Sequence, residues 1–161
     1  MTLKTTDLCD QLGDAAAVAE PMLTNYGGMG AFGGQIATVK VFEDNSLVRA
    51  VLETPGFGRV LVVDGGGSLR CALVGDQLAA LGVKHGWAGI VVYGCIRDSQ
   101  AIAELDIGVQ AMGTHHRRSI KKGEGVADVP VTFAGVTFRP SAWLYADDDG
   151  LVITAQRVSP L

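Results

Sequence analysis

Cysteine, basic charge and long apolar runs are all scarce in this chain, and each shortage excludes something. The three cysteines, Cys9, Cys71 and Cys95, are odd in number and form no C-x-x-C pair. That argues against a disulfide framework and a cysteine-based zinc site, and it suits a reducing cytoplasm. Thirteen Lys and Arg against seventeen Asp and Glu leave a net charge of −4, whereas direct nucleic-acid binding needs a basic face. Nowhere do about 18 apolar residues run together, and the opening MTLKTTDLCDQL lacks the apolar segment of a signal peptide. The expectation is a cytoplasmic protein that does not span a membrane. Charged residues make up 19% and apolar residues 48% of the 161 positions. That suffices for one domain over residues 1–161 with a real core, and leaves apolar surface to bury between subunits.

Glycine is what the chain has in excess. Its 22 glycines are roughly twice the usual share of about 7%, clustered as GGMGAFGG and GGG, which suits tight turns and close backbone approach. Between the clusters, TTDLCDQLGDA reads as a short helix opened by Thr and Asp in cap-like positions. GGQIATVKVF reads as a strand and EDNSLVRAVLE as a helix. VLVV (60–63) and AGIVVYG (88–94) read as buried strands, with a helix inside LVGDQLAALGVKHG between them. IRDSQAIAELD follows as a turn and short helix, then IGVQAMGT as a strand. The last third alternates apolar and polar residues: VTF-AG-VTF has hairpin spacing and DDDG marks a second turn. Strand–helix–strand units in the centre imply right-handed crossovers. The fold class is therefore α/β, with a mixed sheet and central βαβ units.

Several stretches invite a functional reading. DGGGSLR after VLVV resembles a nucleotide-binding turn, but Arg70 stands where a third glycine is needed. The next strand also ends without the acidic residue that would hold a ribose, so a structural turn is preferred. His115-His116 is a poor metal pair if the two side chains point to opposite faces of a strand. The basic run HHRRSIKKGEG (115–125) is read as a solvated loop in preference to an exposed phosphate or partner site. Cys95 lies near Arg97 but has no histidine base close in sequence, which favours a buried thiol over a nucleophile. No lysine presents itself for a Schiff base. Arg97-Asp98 differs, because it follows directly on a buried strand, and ligands collect at the carboxyl ends of strands in α/β proteins. A guanidinium grips carboxylates or enolates bidentately, and a carboxylate holds a hard cation. The competing reading is a mutual surface ion pair, as Asp76 alone would pass for a helix cap.

Asp76, twenty intervening residues and then Arg97-Asp98 make a D-x20-R-D arrangement. With VLVVDGGGSLRCALVGD before it and AGVTFRP after it, the chain resembles the RraA-like family, which includes the regulator of ribonuclease activity A and the 4-hydroxy-4-methyl-2-oxoglutarate aldolases. The resemblance extends through EPMLTNYGG, FGGQIATVKVFEDNSLV, LDIGVQAMGT and YADDDGLVI. It implies a layered ββα swivelling-domain fold assembled as a homotrimer or dimer of trimers. It also implies cleavage of 4-hydroxy-4-methyl-2-oxoglutarate to two pyruvates and decarboxylation of oxaloacetate, with a divalent cation (Mg²⁺ or Mn²⁺) and no Schiff base. Carried over, Asp98 would bind the metal and Arg97 the keto-acid end of the substrate. Backbone N–H groups of Gly75, Asp76, Gln77 and Leu78 would receive a carboxylate, and Asp76 would activate a water as base. Both reactions leave pyruvate enolate, whose charge the cation and Arg97 would stabilise. The family's other branch binds ribonuclease E, and its founding member lacks the complete acidic motif. The intact motif here favours an enzyme.

Overall fold

The structure is a computed structural model and describes residues 3–159. In chain order the elements begin with α1 (Thr5–Leu12), β1 (Ala17–Val18), β2 (Thr24–Asn25), β3 (Phe32–Lys40), α2 (Ser46–Leu52), β4 (Val60–Asp64) and β5 (Ala72–Val74). They continue with α3 (Asp76–Lys84), β6 (Gly89–Ile96), α4 (Ser99–Ile102), β7 (Gly108–Thr114) and β8 (Val126–Ala127). The last are β9 (Val131–Phe133), β10 (Val136–Phe138), β11 (Trp143–Asp147) and β12 (Gly150–Thr154). Among the described residues no helix is long and apolar enough to cross a membrane.

The valine-rich runs become the centre of a mixed sheet in the order β1-β12-β11-β3-β4-β6-β7-β2. β3, β4, β6 and β7 are parallel neighbours, and α2, α3 and α4 lie in the connections between them. β11, β12 and β1 extend the sheet antiparallel from β3. The α/β class and the central βαβ units are therefore as the sequence implies. Central parallel strands are apolar on both faces because both are covered. Leu61 and Val63 pack with Val48, Leu52, Leu78 and Ala79 on the helical side. Val60 and Val62 face the opposite way, toward Phe133, Phe138, Leu144 and Ile153. Helices, sheet and the β9–β10 hairpin thus form the layers. The hairpin turns through Ala134 and Gly135, both at positive φ (53° and 73°), the twist that suits a two-residue turn.

Two local expectations change. Thr5 begins α1, and its cap comes from far along the chain: its N–H and hydroxyl donate to Asp147 at 2.8 and 2.7 Å. The GGG turn also does not lead straight into a helix. β4 pairs with β6 as far as Tyr93 and stops at Asp64, and the short β5 then takes its place beside Cys95 and Ile96. That substitution places the site.

Candidate active site

Because β5 and β6 run parallel and end together, with Val74 beside Ile96, the residues that follow each strand emerge at one sheet edge. The Arg97 N–H donates to the Val74 carbonyl at 2.9 Å and extends the ladder by one rung. Gly75 then caps α3, whose first intrahelical bond runs from Ala79 N–H to the Gly75 carbonyl at 3.1 Å. The N–H groups of Asp76, Gln77 and Leu78 are left without acceptors inside the helix. Asp98 takes the left-handed conformation (φ 59°, ψ 43°) at the start of α4, a region that Asp tolerates better than most residues. Its Oδ2 accepts the Asp76 N–H at a long 3.4 Å. A Cβ on residue 75 would sit 2.9 Å from that same oxygen. Gly75 has an extended backbone (φ −118°), so what requires glycine there is room for Asp98.

Gly75, Asp76, Gln77, Leu78, Arg97 and Asp98 all line one cleft of about 400 Å³. The structure therefore brings together every residue that the family resemblance assigns to the site. It also removes the two plainer readings. Among the described residues the ion pairs are Arg49–Glu53 and Arg70–Glu43, so Arg97 and Asp98 do not pair with each other. The half-buried Arg97 instead reaches the His116 carbonyl with Nη1, at 3.5 Å. Asp76 is the first residue of α3, and no side chain caps that helix.

The basic run is the largely exposed loop that the sequence implies, and it adds a wall to the site. Arg118, Ser119 and Lys121 line the cleft, together with Asn45 and Arg49. The segment after Arg118 has no helix or strand as far as Gly125, yet it is fastened at several points. The Ala72 N–H donates to the Arg117 carbonyl at 2.7 Å, and the Asn45 N–H to Ser119 Oγ at 3.2 Å. Asp44, only 2% exposed, accepts the N–H groups of Lys122 and Glu124 at 2.8 and 3.0 Å. Its other oxygen accepts the N–H and hydroxyl of Ser46 at 2.9 and 2.6 Å. Burial would raise the Asp44 carboxyl, but the Ser46 hydroxyl and the N–H groups of Ser46, Glu124 and Lys122 outweigh it and hold it well below the ordinary range. Beside Asp44 in sequence, the Arg70 guanidinium and the Ser68 hydroxyl hold half-buried Glu43 down at about 2. A run of charge in sequence says nothing about which carboxylate will accept its backbone N–H groups.

A depressed carboxyl stabilises the fold in full above its unfolded pKa, near 4, and that contribution fades as pH falls toward the folded value. Asp44→Ala is expected to lower the melting temperature by roughly 6–12 °C at pH 7, from about 3 kcal/mol of lost charge-assisted hydrogen bonding. The gap from wild type should shrink below about pH 4. Thermal unfolding between pH 3 and 7 checks both, and equal melting at pH 7 would remove Asp44 as the anchor.

The remaining candidates do not form sites. A Cβ on Gly66 would strike the Phe42 ring and one on Gly67 the Tyr93 ring, so the approach of protein side chains accounts for these glycines without a bound phosphate. Burial pushes the thiols of Cys71 and Cys95 up, the opposite of nucleophile activation. His115 and His116 lie beyond the end of β7, where strand alternation no longer applies, and their rings stack at 4.8 Å. His115 Nδ1 is occupied by the Arg117 N–H at 3.0 Å.

The family model for RraA-like proteins, described as Aldolase/RraA, matches residues 5–153. The chain belongs to the RraA-like family. Over 154 residues, 96% of this chain and 97% of the relative, it is 61% identical to an Aromatoleum aromaticum protein provisionally named 4-hydroxy-4-methyl-2-oxoglutarate aldolase. Two solved structures superpose at a TM-score of 0.95. One, 51% identical and covering 97% of both chains, is named S-adenosylmethionine:2-dimethylmenaquinone methyltransferase from Geobacillus kaustophilus. The other is the RNA-processing inhibitor RraA from Thermus thermophilis, 43% identical and covering 100% of this chain and 98% of its own. Three different names thus accompany one RraA-like fold, and only the site can choose among them.

Proposed function

We propose that this RraA-like chain is an aldolase that cleaves 4-hydroxy-4-methyl-2-oxoglutarate to two pyruvates, decarboxylates oxaloacetate and depends on a divalent cation. The observation that carries the reading is the shared cleft, lined together by helix-start N–H groups, a guanidinium outside any ion pair and an aspartate with one long N–H contact. The methyltransferase name finds no support in the glycine turn, whose Gly66 and Gly67 lie against the rings of Phe42 and Tyr93.

Cleavage breaks the C3–C4 bond. A base takes the proton of the C4 hydroxyl, C4 becomes the carbonyl of one pyruvate, and the bonding pair moves onto the C2 carbonyl to leave the enolate of the other. Protonation at C3 completes the second pyruvate. In oxaloacetate the same enolate forms as carbon dioxide departs, with no hydroxyl to deprotonate. The N–H groups of Gln77 and Leu78, at the positive end of α3, would receive the C1 carboxylate. Arg97 would donate to the oxygen that gains charge as the bond breaks. Asp76 would take a proton from the water that acts on the C4 hydroxyl. For a cation, Asp98 offers a single hard anionic ligand engaged by one long N–H contact, which fits an ion that keeps several waters and also binds its substrate. When bound, such a cation supplies positive charge beside the keto-acid oxygens.

Excess chelator is expected to abolish pyruvate release from both substrates, and added Mg²⁺ or Mn²⁺ to restore it. Full activity in chelator would sink the proposal, as would pyruvate trapped on a lysine by borohydride. A trimer or dimer of trimers is part of the same reading, motivated by apolar side chains left in solvent such as Phe57, 85% exposed, and light scattering measures it. The name of the Thermus relative favours a second reading, ribonuclease binding. A chain that releases no pyruvate from either substrate, yet co-elutes with ribonuclease E, would put that reading first.

A further inference from the structure

The proposed chemistry occupies one end of the cleft, where α3 begins and Arg97 and Asp98 stand. The wall contributed by the 117–121 segment is unused. It carries Arg118 and Lys121, and among the described residues neither has an ion-pair partner. Arg49 on the same wall differs, being engaged with Glu53 at 2.9 Å. Two unpaired cations fastened over one cleft are notable in a chain of net charge −4. Nor are they carried on a freely moving loop, since bonds from Ala72, Asn45 and the buried Asp44 anchor the segment on both sides of them.

The wall is also polar at its back. Asn45 is only 9% exposed and lines the cleft. Its Nδ2 donates to the Leu73 carbonyl at 3.0 Å, which fixes the amide's orientation, because a carbonyl needs the NH₂ end. The opposite atom, Oδ1, is buried without a hydrogen-bond partner. A buried polar atom left unpaired is costly, and this one has no surface open to the cleft, so it adds polarity behind the wall and not a contact for an occupant. What the wall presents to the cleft is the pair of cations, Arg118 and Lys121. A monocarboxylic keto acid, held by α3 and Arg97, would leave these cations unanswered.

We propose that Arg118 and Lys121 bind the second carboxylate of a five-carbon keto acid, the one at C5, and thereby set specificity for dicarboxylic substrates. The inference rests on the aldolase reading for which end of the ligand lies against α3. A guanidinium carried on this fastened backbone can grip a carboxylate bidentately, and an ammonium adds a point charge. Oxaloacetate carries its second carboxylate one carbon nearer the keto group and loses it as carbon dioxide, so it gains less from the pair.

The test uses two inert ligands of equal length, 2-oxoglutarate and 2-oxopentanoate, which differ only in the C5 carboxylate and lack the hydroxyl needed for cleavage. Calorimetry on the wild-type protein with Mg²⁺ present should show 2-oxoglutarate binding at least about tenfold more tightly. Arg118→Gln and Lys121→Gln should each shrink that preference, and together remove it, with 2-oxopentanoate affinity unchanged within about threefold. Arg118→Lys, which keeps the charge, should retain part of it. Equal binding of the two ligands by the wild type overturns the proposal, and so does a parallel loss of both ligands in the Gln variants. Because neither ligand reacts, the outcome does not depend on turnover. A preference that follows Arg118 and Lys121 in a protein releasing no pyruvate would uphold this pair and sink the aldolase reading alone.

Discussion

Replacing Arg97 with lysine is expected to lower kcat/KM for aldol cleavage about 100-fold or more while leaving the melting temperature nearly unchanged. The magnitude is that of removing one preorganised donor from a developing oxyanion. Lysine keeps the charge but loses the planar fork, and it is a poor replacement wherever two parallel hydrogen bonds are made. Were Arg97 simply the surface partner of Asp98, the change would cost about 0–1 kcal/mol and activity would hardly move. The geometry already argues against that, because Arg97 forms no ion pair with Asp98 and its guanidinium reaches only the His116 carbonyl, at the limiting distance of 3.5 Å. Its backbone rung to Val74 does not depend on the side chain. A side chain with so little structural work can be changed with little effect on folding, so a lost rate would report on the reaction. Steady-state rates and thermal unfolding of the same preparation check it. A lysine variant within a few-fold of wild type would return Arg97 to the surface.

The site was legible in sequence for a topological reason. The twenty residues between Asp76 and Arg97 hold the rest of α3 and the whole of β6, and a right-handed crossover returns a chain of that length to the same sheet edge. Apolar runs marked β4 and β6, and the AG turn marked the β9–β10 hairpin, because burial and turn conformation leave local traces. Other features left none. β1, β2 and β8 are two residues each, and such strands exist only through partners elsewhere. α1 takes its cap from Asp147, 142 positions away. Asp44 fastens backbone N–H groups 78 and 80 positions ahead. HHRRSIKKGEG is the solvated loop that it reads as, but nothing in it tells that Arg118, Ser119 and Lys121 line the cleft. What a charge run does depends on what its backbone is tied to, and no local pattern records the tie.

Asp76→Asn should separate the two reactions. Cleavage requires a proton to leave the C4 hydroxyl, and decarboxylation of oxaloacetate has no such proton. Asparagine keeps the size of the side chain and removes the anion that would activate the water. Losing a general base typically costs 10²–10⁴-fold, so cleavage should fall by about that factor and decarboxylation by much less. The fold should tolerate the change, because no side chain caps α3 and the loss of one negative charge from a first helical turn costs about 0.3–1 kcal/mol. The N–H groups of residues 76–78 remain in place, so substrate binding should survive. Asp98→Ala is the contrast: it removes the proposed cation ligand, and both reactions should drop together. The quantity to measure is the ratio of cleavage to decarboxylation in each variant at saturating Mg²⁺. An unchanged ratio in Asp76→Asn, with both rates reduced, would make Asp76 a positioning residue and send the search for the base elsewhere in the cleft. No change in either rate would leave Asp76 as a favourable charge at the start of a helix, with no part in the chemistry.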